Sequence, residues 1–202
     1  MAWDELATDE VIDKTKAALE SNGMQVLIVE NAADALDKTL ELIPQGAEVN
    51  LMSSMTLEAI GIPKAINESE KYDSVANKIR GIDEKEQRDA MRRASAAVDF
   101  AIGSVHAVTE DGKLVIASNT GSQLGTYAFG AKKQIFVIGT QKIVKNLDDG
   151  FKRIEEYAFP LEDQRALKAY SMHSGINKEL IVHKEVMPGR ITIVFVKEKL
   201  GF

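Results

Sequence analysis

The chain has 202 residues, of which 45% are hydrophobic and 28% charged, a composition typical of globular proteins rather than disordered ones. No uncharged apolar stretch approaches the roughly 20 residues of a transmembrane helix, so we expect no membrane span. Cysteine is absent, which excludes disulfides, thiolate metal sites and a self-contained iron–sulfur cluster. We predict a cytoplasmic protein with a single domain over residues 1–202.

The formal net charge of −6 is distributed unevenly along the chain. Residues 1–50 carry a net charge of −8, whereas residues 101–202 carry +3. Basic clusters interleaved with aromatic residues are absent, and aromatic residues make up only 6% of the chain. Nucleic acid is therefore not an expected partner, while the acidic N-terminal segment suits docking on a basic protein surface.

Helices and short apolar strands alternate through the first half of the chain. An amphipathic helix is predicted over Asp4–Asn22, with Gly23 as its stop, and Asn31 is placed to cap the next helix. The predicted elements are a helix at 4–22, strand at 24–29, helix at 32–43, strand at 49–52, short helix from 56, mixed region at 67–79 and charged helix at 83–97.

The second half begins with apolar strands within 98–108 and a hairpin at Asp111-Gly112, for which a type I′ turn is predicted. A buried strand is predicted at 134–138, followed by a helix that Thr140 caps and Pro160 interrupts. A further helix to about residue 173 and strands at 180–182 and 191–196 complete the chain. This order predicts a three-layer α/β/α fold with a mainly parallel sheet and an antiparallel hairpin.

Ligands of such sheets bind beyond the carboxyl ends of the strands, where two polar segments are expected. The first contains Ser53, Ser54 and Thr56, whose hydroxyls and helix start suit an anion. The alternative is that Ser53 or Ser54 only caps the helix. The second segment follows Ser118 and suits a small polar ligand, or is an ordinary Asn/Gly turn. Its members are Asn119, Thr120, Gly121, Ser122 and Gln123.

Four further residues are candidates on chemical grounds. Arg190 could clamp a carboxylate or pair with an acidic surface. Glu58 and Glu110 lie beside the two polar segments, where each could act as a base or nucleophile or remain a solvated charge. A lone histidine in an apolar stretch, as at His106, is more often a core residue than a ligand. Neither a metal site nor a cofactor motif is evident.

The chain resembles the LUD-domain family, which includes the lactate-utilisation protein C (LutC/YkgG-like) proteins. The matching segments are 52–62 (MSSMTLEAIGI), 97–103 (AVDFAIG), 112–121, 134–139 and 142–147. The resemblance implies a fold similar to those of phosphosugar isomerases and CoA transferases. It also implies a role in oxidising lactate to pyruvate with an iron–sulfur partner protein, which would carry the cluster because this chain has no cysteine.

Three functional hypotheses remain open from the sequence. The first is a protein with a small-anion pocket for a carboxylate or phosphate, acting as a subunit in lactate or related organic-acid utilisation. The second is a non-catalytic interaction subunit that docks an iron–sulfur or other metabolic partner. The third is an isomerase- or transferase-like enzyme that uses Glu58 or Glu110. The oligomeric state stays open, and a homodimer is compatible with all three.

Overall fold

The computed structural model describes residues 3–202, apart from the side chain of Glu84. Its strands are β1 (Gln25–Val29), β2 (Glu48–Leu51), β3 (Asp73–Ser74), β4 (Val98–Gly103), β5 (Ala107–Thr109), β6 (Leu114–Ser118), β7 (Ala131–Gly139), β8 (Ile143–Val144), β9 (Lys178–Val182) and β10 (Ile191–Val196). Its helices are α1 (Asp9–Ser21), α2 (Ala32–Glu41), α3 (Met55–Ile60), α4 (Ile62–Asn67), α5 (Val75–Ile79), α6 (Glu84–Ala96), α7 (Leu147–Arg153) and α8 (Phe159–Tyr170).

Six strands form a parallel sheet in the order β1-β10-β7-β4-β2-β3. The interior strand β10 lies between β1 and β7, and all six of its residues are buried. Successive residues point to opposite sides of the sheet, so both faces of the strand are covered. Ile193 and Phe195 pack with α1, while Val194 and Val196 pack with α2, α3 and α4. The predicted α/β class with a mainly parallel sheet flanked by helices is confirmed.

The predicted hairpin belongs to a second sheet, whose strand order is β8-β5-β6-β9. Strands β5 and β6 are antiparallel, as expected, but the prediction of a type I′ turn between them was wrong. Of the two turn residues only Gly112 has a positive φ, at 83°, and its N–H donates to Thr109 O at 2.8 Å. The connection is therefore a three-residue loop with glycine in the left-handed position, so Asp111 avoids a conformation that is strained for its side chain.

The region after β7 corrects two further predictions. Thr140 begins a single 3₁₀ turn instead of capping a helix, and the helix starts at Leu147, where Asn146 Oδ1 accepts from Asp149 N at 3.0 Å. Pro160 does not interrupt the helix either. A π-helical turn at 154–158 joins α7 to α8, and Pro160 lies in the first turn of α8, where its missing N–H is tolerated.

Two helix ends differ from the predicted ones for identifiable local reasons. Helix α1 starts at Asp9 rather than Asp4, because Thr8 caps it by accepting a hydrogen bond from Val11 N. Helix α8 ends at Tyr170, three residues early, where Ser171 adopts a left-handed conformation with φ 55°. Within residues 3–202, no helix combines the length and apolarity that crossing a membrane would require.

Candidate functional site

A cavity of about 480 Å³ lies at the carboxyl edge of the parallel sheet, where β2, β4 and β7 end. The end of β6 and one side of α8 complete its wall. This position agrees with the general rule that open α/β sheets bind ligands beyond the carboxyl ends of their strands. Both predicted polar segments line this cavity, although 62 residues of sequence separate Thr56 from Ser118.

The first segment contributes Ser53, Ser54 and Thr56 to the wall. Ser54 occupies the residue before α3, but its hydroxyl makes no capping hydrogen bond and is not consumed by the helix. Thr56 is fully buried, and its hydroxyl donates to Leu200 O at 3.1 Å while accepting from Lys142 Nζ at 3.0 Å. Because α3 has only six residues, its dipole is too small to define an anion site by itself.

The second segment is a tight turn whose polar groups bond mainly to one another. Ser118 Oγ accepts from Gly121 N at 2.8 Å and donates to Gln123 Oε1 at 3.0 Å. Gly121 has φ 83°, and a Cβ there would lie 2.6 Å from Lys178 Cδ, so glycine is required. Asn119 accepts from Asn177 Nδ2 at 2.7 Å. The cavity-lining members are Ser118, Asn119, Thr120, Ser122 and Gln123.

The three charged candidates lie away from this cavity. Glu58 is exposed on α3, and Glu110 forms a 2.7 Å ion pair with Lys14. Arg190 precedes β10, so it lies at the amino edge of the sheet, opposite the cavity. It is buried there, donating from Nη1 to Glu185 at 2.8 Å and from Nε to Ala131 O at 3.0 Å. The structure therefore does not bring these residues together with the two polar segments.

Lys142 lines the cavity and is the principal charged residue that sequence reasoning missed. The residue is only 2% exposed, and its Nζ contacts three neutral oxygens: Thr56 Oγ1 at 3.0 Å, Val105 O at 3.2 Å and Ser104 Oγ at 3.3 Å. Burial, followed by the nearby Arg153 charge, holds the Lys142 pKa well below its ordinary value of 10.5. The sequence feature that could have identified Lys142 is its position three residues after the end of β7.

His106 also lines the cavity instead of lying in the apolar core. Its Nδ1 accepts from Ala117 N at 3.1 Å, which places the proton of the neutral ring on Nε2. Burial, with smaller contributions from the charges of Lys142 and Arg153, lowers the His106 pKa to about 3. His106 is therefore a neutral hydrogen-bonding group at physiological pH and adds no charge to the cavity.

A buried cation, Arg153, lies behind His106. Arg153 is fully buried, donates from Nη1 to His106 O at 2.5 Å and lies over the ring of Tyr157, 5.2 Å from its centroid. Its Nε and Nη2 have no hydrogen-bond partner among the described residues. Burial lowers its pKa to about 10, so Arg153 stays charged and repels a proton on Lys142.

One wall of the cavity carries a neutralised pair. Glu162 accepts two hydrogen bonds of 2.7 Å from Nε and Nη2 of Arg165, whose guanidinium stacks near Tyr170. Because the two charges cancel, the pair adds no net charge to the cavity wall. The part of the chain that the structure describes contains no cluster of three or more histidines and carboxylates arranged to hold a metal ion.

An open parallel sheet flanked by helices, with a cavity at its strand ends, places the protein in the α/β class of folds. The family model of the LUD domain matches residues 12–196, and the chain therefore belongs to the LUD-domain family. The predicted resemblance to the LUD-domain family is therefore confirmed.

The fold is also similar to that of a solved protein. The crystal structure of a DUF162 family protein from Deinococcus radiodurans superposes with a TM-score of 0.58, covering 95% of this chain and 99% of that chain. The sequence identity is 10%, so this similarity supports the fold alone. Comparison with curated proteins gave no significant match.

Proposed function

We propose that this LUD-domain protein binds a small organic anion, a carboxylate or a phosphate, in the cavity at the carboxyl edge of the sheet. The observation that carries the proposal is Lys142, whose buried Nζ has three neutral oxygens as its hydrogen-bond partners in the described part of the chain. A buried ammonium without a counter-charge is unfavourable, and a bound anion would supply that charge. Ser54, Asn119 and the neutral His106 would add hydrogen bonds.

A thermal-shift screen of purified protein against carboxylates and phosphates tests this proposal. A ligand present at about 100 times its dissociation constant adds about 2.7 kcal/mol of stability. We expect Lys142→Met to remove the shift and the matched variant Lys145→Met, which loses the same charge from an exposed position, to retain it. An equal shift in the wild type and Lys142→Met would contradict the proposal.

We further propose that the bound anion belongs to organic-acid utilisation, in keeping with the lactate-utilisation members that the sequence resembles. Because the chain has no cysteine, an iron–sulfur cluster in such a system would reside in a partner protein. Saturable binding of lactate or a related 2-hydroxy acid in the screen would support this assignment. A response confined to phosphates would instead favour a phosphorylated metabolite.

An interaction subunit is the second candidate, and the surface of α1 favours it. Glu10 and Asp13 are exposed on this helix, in the segment whose net charge is −8. Such a surface would dock a basic partner through contacts that salt weakens. Retention of a partner by wild-type protein at low salt, and its loss in the double variant Glu10→Lys/Asp13→Lys, would support this function; equal retention by both would contradict it.

A further inference from the structure

The three hydrogen-bond partners of Lys142 Nζ determine which of its protonation states can be fully hydrogen-bonded. The Thr56 hydroxyl proton is directed to Leu200 O, so Thr56 Oγ1 accepts from Nζ, and Val105 O can only accept. Ser104 has the longest contact, 3.3 Å, and its hydroxyl is able to donate or accept. A neutral amine is therefore fully satisfied by donating twice and receiving the Ser104 proton on its lone pair.

The same three oxygens accept three bonds from an ammonium when the Ser104 hydroxyl turns. Both protonation states of Lys142 are thus accommodated without movement of the backbone. Burial and the Arg153 charge favour the amine, whereas an anion nearby would favour the ammonium. A desolvated lysine amine beside a second cation is the arrangement that activates lysine as a nucleophile towards carbonyl carbon.

We propose that Lys142 is a nucleophilic amine that forms an imine with a carbonyl compound bearing an anionic group. This inference rests on the proposed anion cavity. Nζ adds to the carbonyl carbon, and the resulting carbinolamine loses its oxygen as water, which carries away the two protons of the amine. Ser104 is placed to relay one of these protons. Protonation of the imine from solvent then restores a positive charge beside the anionic group.

His106 contributes a neutral hydrogen-bond donor to this scheme. Its Nδ1 is occupied by Ala117 N–H, so Nε2–H is the ring group left for a ligand oxygen. Because the ring stays uncharged, it does not add to the repulsion between Lys142 and Arg153. The cavity of about 480 Å³ is also larger than a two- or three-carbon acid needs, so it has room for an extended carbonyl substrate.

Reductive trapping tests the imine directly. Full-length protein is incubated with 2-oxobutanoate or with glycolaldehyde phosphate and sodium cyanoborohydride, and the digested chain is analysed by mass spectrometry. We expect a secondary amine on Lys142, formed about tenfold faster than on the exposed Lys145 because the buried amine is the activated one. Absence of the Lys142 adduct with both probes, or equal labelling of the two lysines, would overturn the proposal.

A charge-conserving variant tests imine formation separately from the anion binding on which it depends. Lys142→Arg keeps a cation but cannot condense with a carbonyl, so we expect no adduct at position 142 in this variant. In the control variant Lys145→Arg, the adduct on Lys142 should still form. The unreactive analogue 2-hydroxybutanoate and inorganic phosphate serve as binding probes. Stabilisation of the wild type by these anions without any adduct would leave the anion site standing and refute the imine. Absence of both responses would refute both proposals.

Should circular dichroism show that Lys142→Arg fails to fold, Lys142→Met replaces it in the trapping experiment. Its side chain has nearly the same length and no charge, so it removes the amine without adding volume. An adduct that persists in the Lys142→Met chain would also overturn the assignment to Lys142.

Discussion

His106 makes the stability of the folded chain depend on pH. Its pKa falls from the ordinary 6.5 to about 3 on folding, because burial disfavours the charged ring. Below pH 6.5, His106 binds a proton in the unfolded chain but not in the folded chain. The free energy of unfolding therefore decreases as the pH falls towards 3. The slope contributed by this residue is at most about 1.4 kcal/mol per pH unit.

The variant His106→Asn tests this dependence. Asparagine keeps an acceptor for Ala117 N–H but cannot titrate. We expect the difference in unfolding free energy between pH 7 and pH 4, measured with urea, to be smaller in the variant than in the wild type. Parallel pH profiles for the two proteins would show that the histidine is protonated in the folded state as readily as in the unfolded one.

Gly103 keeps space for Tyr127 in the cavity wall. A Cβ on Gly103 would collide with the Tyr127 hydroxyl and lie 2.8 Å from its Cζ, and this ring packs edge-on against Phe136 with centroids 4.9 Å apart. We predict that Gly103→Ala costs about 1–3 kcal/mol through overpacking. Gly125→Ala is the matched control, since a Cβ there meets only open space. Similar urea midpoints for both variants would contradict this account.

At the scale of elements, α1 combines a structural face with a charged one. Ile12 and Leu19 are buried in the cluster that also contains Phe136 and Phe195, whereas Glu10 and Asp13 face solvent. Deleting residues 1–22 would therefore unfold the protein and could not test docking. Charge reversal on the exposed face is the change that separates docking from folding.

We predict that Ile12→Ala lowers the free energy of unfolding by about 2–5 kcal/mol, because it leaves a cavity in the shared core. The double variant Glu10→Lys/Asp13→Lys should stay within about 0.5 kcal/mol per substitution, as exposed changes usually do. Urea denaturation measures both effects. A large loss in the charge-reversed protein would mean that the acidic face contributes to folding rather than to binding alone.

At the scale of the whole molecule, a buried ion pair and the candidate cavity lie at opposite edges of the parallel sheet. Arg190 and Glu185 form a buried ion pair, 5% and 9% exposed, at the amino edge. The cavity with Lys142 lies at the carboxyl edge, and a six-residue strand such as β10 spans roughly 20 Å between them. Changes at the two ends should therefore be energetically independent.

We expect Glu185→Ala to destabilise the protein by about 3–5 kcal/mol, because it leaves the buried Arg190 guanidinium without its counter-charge. Asp89→Asn, which breaks exposed pairs with Arg92 and Arg93, should cost less than about 1 kcal/mol. The loss in the double variant Glu185→Ala/Lys142→Met should equal the sum of the two single losses within about 0.5 kcal/mol. A larger coupling energy would connect the amino edge to the cavity.

Local chemistry was sufficient to predict three strands of the parallel sheet and several helix ends. The apolar runs at 134–138 and 191–196 are fully buried strands, because a sheet covered on both faces buries such runs completely. The run at 24–29 contains the edge strand β1, of which only Val26 is buried. Gly23 and Asn31 end and begin helices as predicted, since a left-handed glycine and an amide cap act within a few residues. The turn at 109–112 was misjudged because flanking strand geometry selects among turn types.

The sequence by itself determined which segments follow strands, and hence which polar segments, 53–56 and 118–123, were predicted as candidate sites. Chain direction also places Arg190 apart from them, because it precedes its strand. Only the tertiary structure decided that Lys142 lies against Thr56, 86 residues away, and that three neutral oxygens are the partners of its Nζ among the described residues. Strand order and the packing of the second sheet set that neighbourhood, and a lysine's charge state depends on the solvent and charges around it rather than on its neighbours in sequence.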